Sequence, residues 1–137
     1  MSTSALKSYA RYDDKEKSLS FDGMLGARTT PSVTQATSIT TGVTYNAPAG
    51  VIITQGATAA AGAEQSFVLT NSYLSGSDRT LLVMLHDYTG GGVPLVGVTA
   101  RDSTANTATI TITNLDAAAA LDAALQIRFV VLKQAFA

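Results

Sequence analysis

The stretch Thr107–Lys133, TATITITNLDAAAALDAALQIRFVVLK, admits few folds. Thr107, Thr109, Thr111 and Thr113 fall on one side of an extended chain, and Ala108, Ile110 and Ile112 on the other. A period of two is the mark of a strand with one buried face. Leu125, Ile127, Phe129 and Val131 make a second such face, backed by Gln126, Arg128, Val130 and Leu132. Two strands joined by a small-residue loop are expected, with no reactive group on either inward face.

The same texture runs back to Thr34. Strands are expected at Ser38–Tyr45, Val51–Gln55, Gln65–Asn71, Arg79–Asp87 and Val93–Arg101. Turn signals separate them: Asn46–Gly50 with Pro48, Ser72–Asp78, the glycines 90–92 and Asp102–Asn106. About seven short strands at this spacing predict an all-β fold, an antiparallel β-sandwich or jelly-roll over 34–137. Asp116–Leu125 has the composition of a helix and an Asp to cap it, but it is too short to hold one alone. A loop with one helical turn is expected there. Leu81–Leu85 is apolar without alternation, which predicts burial on both faces, in the core or at a subunit interface. One of Leu82 and Val83 is then intersubunit and the other intramolecular.

Residues 1–33 differ. Charges cluster there, Leu6, Tyr9 and Ala10 have helical spacing behind Ser4, and Gly23, Gly26 and Pro31 interrupt any regular structure further along. The expectation is an extended N-terminal arm, either a disordered tail or an attachment arm that orders on a partner through Tyr9, Arg11, Tyr12, Phe21, Met24 and Leu25.

Composition excludes several chemistries. The chain has 137 residues and a net charge of -1, so it lacks the basic face of a nucleic-acid binder. Cysteine is absent, which removes disulfides and thiolate metal sites. No apolar run suits a membrane span, and the polar start lacks the apolar core of a secretory signal. His86 is the single histidine and cannot build a zinc site by itself. Asp13, Asp14, Glu16 and Asp22 lack the spacing of a calcium loop. Glu64, Asp78, Asp87, Asp102, Asp116 and Asp122 all fall in or beside turns, where acids usually shape the backbone. Gly90–Gly92 leads into no helix and is no phosphate loop. Neither catalysis nor a cofactor or metal is expected. Ala, Thr, Gly and Ser bury little apolar area each, so a thin core and an obligate homo-oligomer, a homotrimer, are expected.

Several segments together carry a family likeness. TQATSITTGVTYNAPAG at 34–50, FVLTNS at 67–72 and the closing Ile110–Lys133 resemble small β-rich virion proteins of tailed bacteriophages, of the head fibre or head decoration type. The resemblance covers about 34–133 and brings no catalytic residue. It implies a structural protein on the capsid surface, assembled in the host cytoplasm, whose partner is the major capsid protein or another shell protein. The alternative is a carbohydrate-binding β-sandwich of a tail or other virion appendage, for which Tyr73 and Tyr88 would have to form one exposed platform.

Overall fold

A computed structural model of the chain describes residues 31–56 and 58–134, with the backbone of Ala10–Asp13 and Ser18–Phe21. Those two short segments are strands β1 and β2, paired antiparallel. Ala10 therefore opens a strand, where its spacing from Leu6 had suggested a helix.

Eight further strands follow among the described residues: β3 (Val33–Thr34), β4 (Val43–Thr44), β5 (Ala49–Ile53), β6 (Glu64–Thr70), β7 (Arg79–Asp87), β8 (Pro94–Asp102), β9 (Thr107–Asn114) and β10 (Gln126–Lys133). They form two four-stranded sheets, ordered β3-β5-β10-β7 (sheet I) and β4-β6-β9-β8 (sheet II). The sheets pack face to face as a sandwich. Successive strands switch sheets from β3 to β8; β8 and β9 then pair as a hairpin in sheet II, and β10 returns to the middle of sheet I. The sandwich is antiparallel except at one edge of each sheet. There β3 runs parallel to β5, and β4 parallel to β6.

The core follows the alternation of the sequence. Ile110 and Ile112 of β9 and Phe67 and Leu69 of β6 face Ile52 of β5 and Ile127 and Phe129 of β10. Leu121 and Leu125 close it from the loop before β10. Tyr45 lays its ring edge-on to Phe129, with centroids 5.2 Å apart. Gly50 stands opposite Phe129 in the ladder, and a Cβ there would lie 2.5 Å from the Tyr45 ring. Alanines and threonines go mostly to loops and outer faces, so the core is richer in Leu, Ile and Phe than the composition suggests.

Two expectations are corrected. Ser38–Tyr45 is a ladder strand only at Val43–Thr44. Its burial alternates through Ile39, Val43 and Tyr45, but the side chain of Gln35 takes the carbonyls of Ile39 and Thr41, at 2.9 and 2.8 Å. The loop Leu115–Leu125 contains no helical turn. Asp116 does receive the N–H groups of Ala118 and Ala119, as a cap would. Beyond it the backbone is claimed by tertiary partners: the Ala119 carbonyl by Asn114 and the Leu121 N–H by the Ala59 carbonyl.

Candidate functional site

Four of the buried polar side chains among the described residues, Gln35, Thr54, Asn71 and Asn114, tie loops, a role that sequence reasoning did not single out. Asn114, at the end of β9, is fully buried. Its Nδ2 donates to the carbonyls of Ala59, Ala60 and Ala119, at 3.3, 3.2 and 2.8 Å. Its Oδ1 accepts from the N–H groups of Val93 and Asp116, both at 3.1 Å. One amide thus holds three loops at one end of the sandwich. Asn71 does similar work at its own corner, donating to the Ala47 carbonyl and accepting from the Tyr73 N–H. Gln35 accepts from the Gln55 N–H, and Thr54 accepts from the Leu125 N–H. The segments 34–50, 67–72 and 110–133 therefore include loop clamps, Gln35, Asn71 and Asn114. The alternation that betrays a strand gives no sign of them, because it reports only which way a side chain points.

Asp102, Asp116 and Asp122 behave as turn formers. The Asp102 carboxylate accepts the N–H groups of Thr104 and Ala105, and Asn106 completes the hairpin at φ 57°. Asp122 accepts the Gly91 N–H at 2.6 Å, and Tyr88 donates its hydroxyl to the Gly91 carbonyl. These bonds pin the glycine turn. Gly92 sits there at φ +76°, where a Cβ would come within 2.9 Å of Leu121. Asp78 pairs with Arg79 and Lys133, at 3.5 and 3.9 Å. Backbone N–H donation holds the Asp102 and Asp116 carboxyls below their ordinary pKa. No group of three or more acidic, His or Cys side chains suited to a metal ion stands together among the described residues. His86 is exposed, with Nε2 3.4 Å from Nη2 of Arg128.

Tyr73 lies in a 3-10 turn (Ser72–Leu74) before β7, and Tyr88 directly follows β7. The Asn71 N–H bonds the Asn106 carbonyl and Arg101 reaches the Leu74 carbonyl, which keeps Tyr73 at the far end of the sandwich from Tyr88. The two rings form no joint platform.

The surfaces of the two sheets differ in kind. Sheet II presents Thr107, Thr109, Thr111 and Thr113, with Ser66 and Thr99 hydrogen-bonded to Thr111 at 2.8 Å. Val68 and Leu95 are its apolar exceptions. Sheet I presents Val51, Ile53, Val130, Leu82 (44% exposed), Met84 (50%) and Leu132 (47%). Arg128 stands among them, between Val51 and Met84. An antiparallel sheet with a solvated outer face usually reads polar there. The strand expected to be buried on both faces is covered on one face only within the single chain. Leu81 and Val83 face the core opposite Val131 and Phe129, while Leu82 and Met84 face out.

Of the expected arm contacts, Arg11 and Tyr12 fall on β1 and Phe21 on β2, and Tyr12 stands opposite Leu19 in the register. The side chains of these three lie outside the described residues, as do Tyr9, Met24 and Leu25 altogether.

No protein family, curated protein or solved structure matches this chain.

Proposed function

We propose that this chain is a structural virion protein of the tailed-bacteriophage head decoration or head fibre type, which binds a capsid shell as a homo-oligomer. The observation that carries the reading is the apolar outer face of sheet I on a sandwich whose other face is coated with threonine. Exposed apolar side chains gathered on one face suit an assembly contact. The likeness of 34–50, 67–72 and 110–133 to phage virion proteins supports the setting, and three copies are the state expected from the sequence. The arm, through Tyr9, Arg11, Tyr12, Phe21, Met24 and Leu25, is the shell anchor. An arm that orders on binding loses conformational entropy, and several copies in one oligomer offset that loss through avidity.

The test is deletion of residues 2–28. The truncated protein should remain folded and oligomeric but no longer decorate empty shells. Undiminished decoration would show that the arm is not the anchor. Failure of the full chain to bind any shell would remove the virion reading itself.

A further inference from the structure

Sheet I is not the only surface where exposed apolar side chains gather. At one end of sheet II, Thr113 of β9 stands between Leu95 of β8 and Glu64 of β6. The Leu115 N–H bonds the Val93 carbonyl at 2.8 Å, which carries the pairing one step beyond the strand ends. Val93, Leu95 and Leu115 are all exposed, and Leu115, at 58%, is the most exposed large apolar side chain among the described residues. Glu64 borders them. Its carboxylate accepts the Thr113 hydroxyl at 3.1 Å and forms no ion pair among the described residues.

Sheet I carries the opposite charge in the same condition. Of the basic side chains described, Arg79 and Lys133 meet Asp78, and Arg101 donates to the carbonyls of Leu74 and Gly76. Arg128 meets no carboxylate or carbonyl among the described residues. Its Nη2 lies against His86, and its Nε is shielded from water without a hydrogen-bond partner. Leu82, Met84 and Val51 surround it. A charge set in an apolar patch needs an opposite charge once that patch is covered. Arg128 and Glu64 cannot serve each other within one chain, because they lie on the outer faces of opposite sheets.

We propose that copies of this chain join head to tail: the outer face of sheet I on one copy covers the Val93, Leu95 and Leu115 corner of the next, and Arg128 pairs with Glu64 of that next copy. Repeated about a three-fold axis, such a contact closes into a ring. Each of three copies then has both patches covered, whereas two copies joined once leave one patch of each kind bare. The contact deepens the proposed homo-oligomer and rests on that part of the reading, but not on the virion setting.

Sedimentation of the full chain tests this with Glu64→Arg, Arg128→Glu and the double variant. The wild type should sediment as a trimer. Each single reversal places like charges across every contact and should weaken association about tenfold or more. The double variant restores opposite charges at every contact and should recover the trimer. Melting curves check that each is folded. If Arg128→Glu fails to fold, Glu64→Arg and Leu115→Asp, both at exposed positions, carry the test by themselves. A wild-type monomer at every concentration, a dimer or an open series of growing oligomers overturns the proposal. So does a double variant no better than the singles. A trimer indifferent to Glu64→Arg and Leu115→Asp keeps the homo-oligomer and overturns this contact. A trimer that responds as expected but never decorates shells leaves the contact standing and removes the virion role; a decorating monomer does the opposite.

Discussion

Removing the Asn114 amide should cost the domain about 3 kcal/mol, counted over three orphaned groups at roughly 1 kcal/mol each. The count rests on what each partner has left. In Asn114→Ala the carbonyls of Ala59 and Ala60 keep the N–H groups of Leu121 and Ala63, at 2.9 and 3.0 Å. The Ala119 carbonyl and the N–H groups of Val93 and Asp116 lose the partner that Asn114 supplied. Domains of this size have about 5–15 kcal/mol in all, so the loss is a large fraction. It corresponds to a fall of roughly 12 °C in melting temperature. Urea unfolding followed by circular dichroism measures it, and hydrogen exchange should show faster exchange at Val93, Asp116 and Leu121. Asn114→Asp is the sharper variant. It keeps an acceptor for Val93 and Asp116 but turns a carboxylate toward three carbonyls. Burial raises its pKa in the folded state, so its stability should be highest at low pH and fall as pH rises through that value. An alanine variant that loses under about 1 kcal/mol would refute the reasoning, since water would then be replacing the clamp.

Three further outcomes are expected. Gly50→Ala drives a Cβ into the Tyr45 ring and should destabilise by about 1–3 kcal/mol, read from the shift in urea midpoint; an unshifted midpoint would mean that the ring moves freely. Asp102 and Asp116 have lowered folded pKa values, so their stabilisation is full above the ordinary carboxylate range and is lost as pH falls through the folded values; the double variant to Asn should show a shallower loss of melting temperature below about pH 4, and an unchanged slope counts against this. Val83→Asp buries a carboxylate opposite Phe129 and should prevent folding, whereas Leu82→Asp should leave the protomer folded and weaken association, as sedimentation and circular dichroism together would report.

How much was legible depended on what each residue does. β9 and β10 stand where the alternation put them, and β7 and β8 where apolar stretches between turn signals did, within one residue at their starts, because their side chains answer only to inside and outside. Ile39–Tyr45 shows the limit of that signal. Its period is that of a strand and its burial agrees, yet Gln35, not a neighbouring strand, takes two of its carbonyls. The pairing of β3 and β4, two residues each and parallel, left no mark in composition at all. Helix propensity in DAAAALDAAL was real but local, and Asn114 and Ala59 overrode it from a distance. The apolar outer face was readable at Leu81–Leu85 as an unbroken run; its extension over Val51, Ile53 and Val130 needed the strand order, which no periodicity contains.

The place of β10 in the middle of sheet I has a consequence for synthesis. A chain emerging from the ribosome can assemble β4, β6, β8 and β9 into sheet II while β10 is still unmade. β7 must wait. Until residues 126–133 arrive, both of its long sides are bare, and Thr80–Leu85 is an uncharged, proline-free segment of high strand preference. Nascent chains on neighbouring ribosomes of one message present that segment to each other at high local concentration. The order of manufacture thus leaves β7 open to self-association until residues 126–133 pair with it.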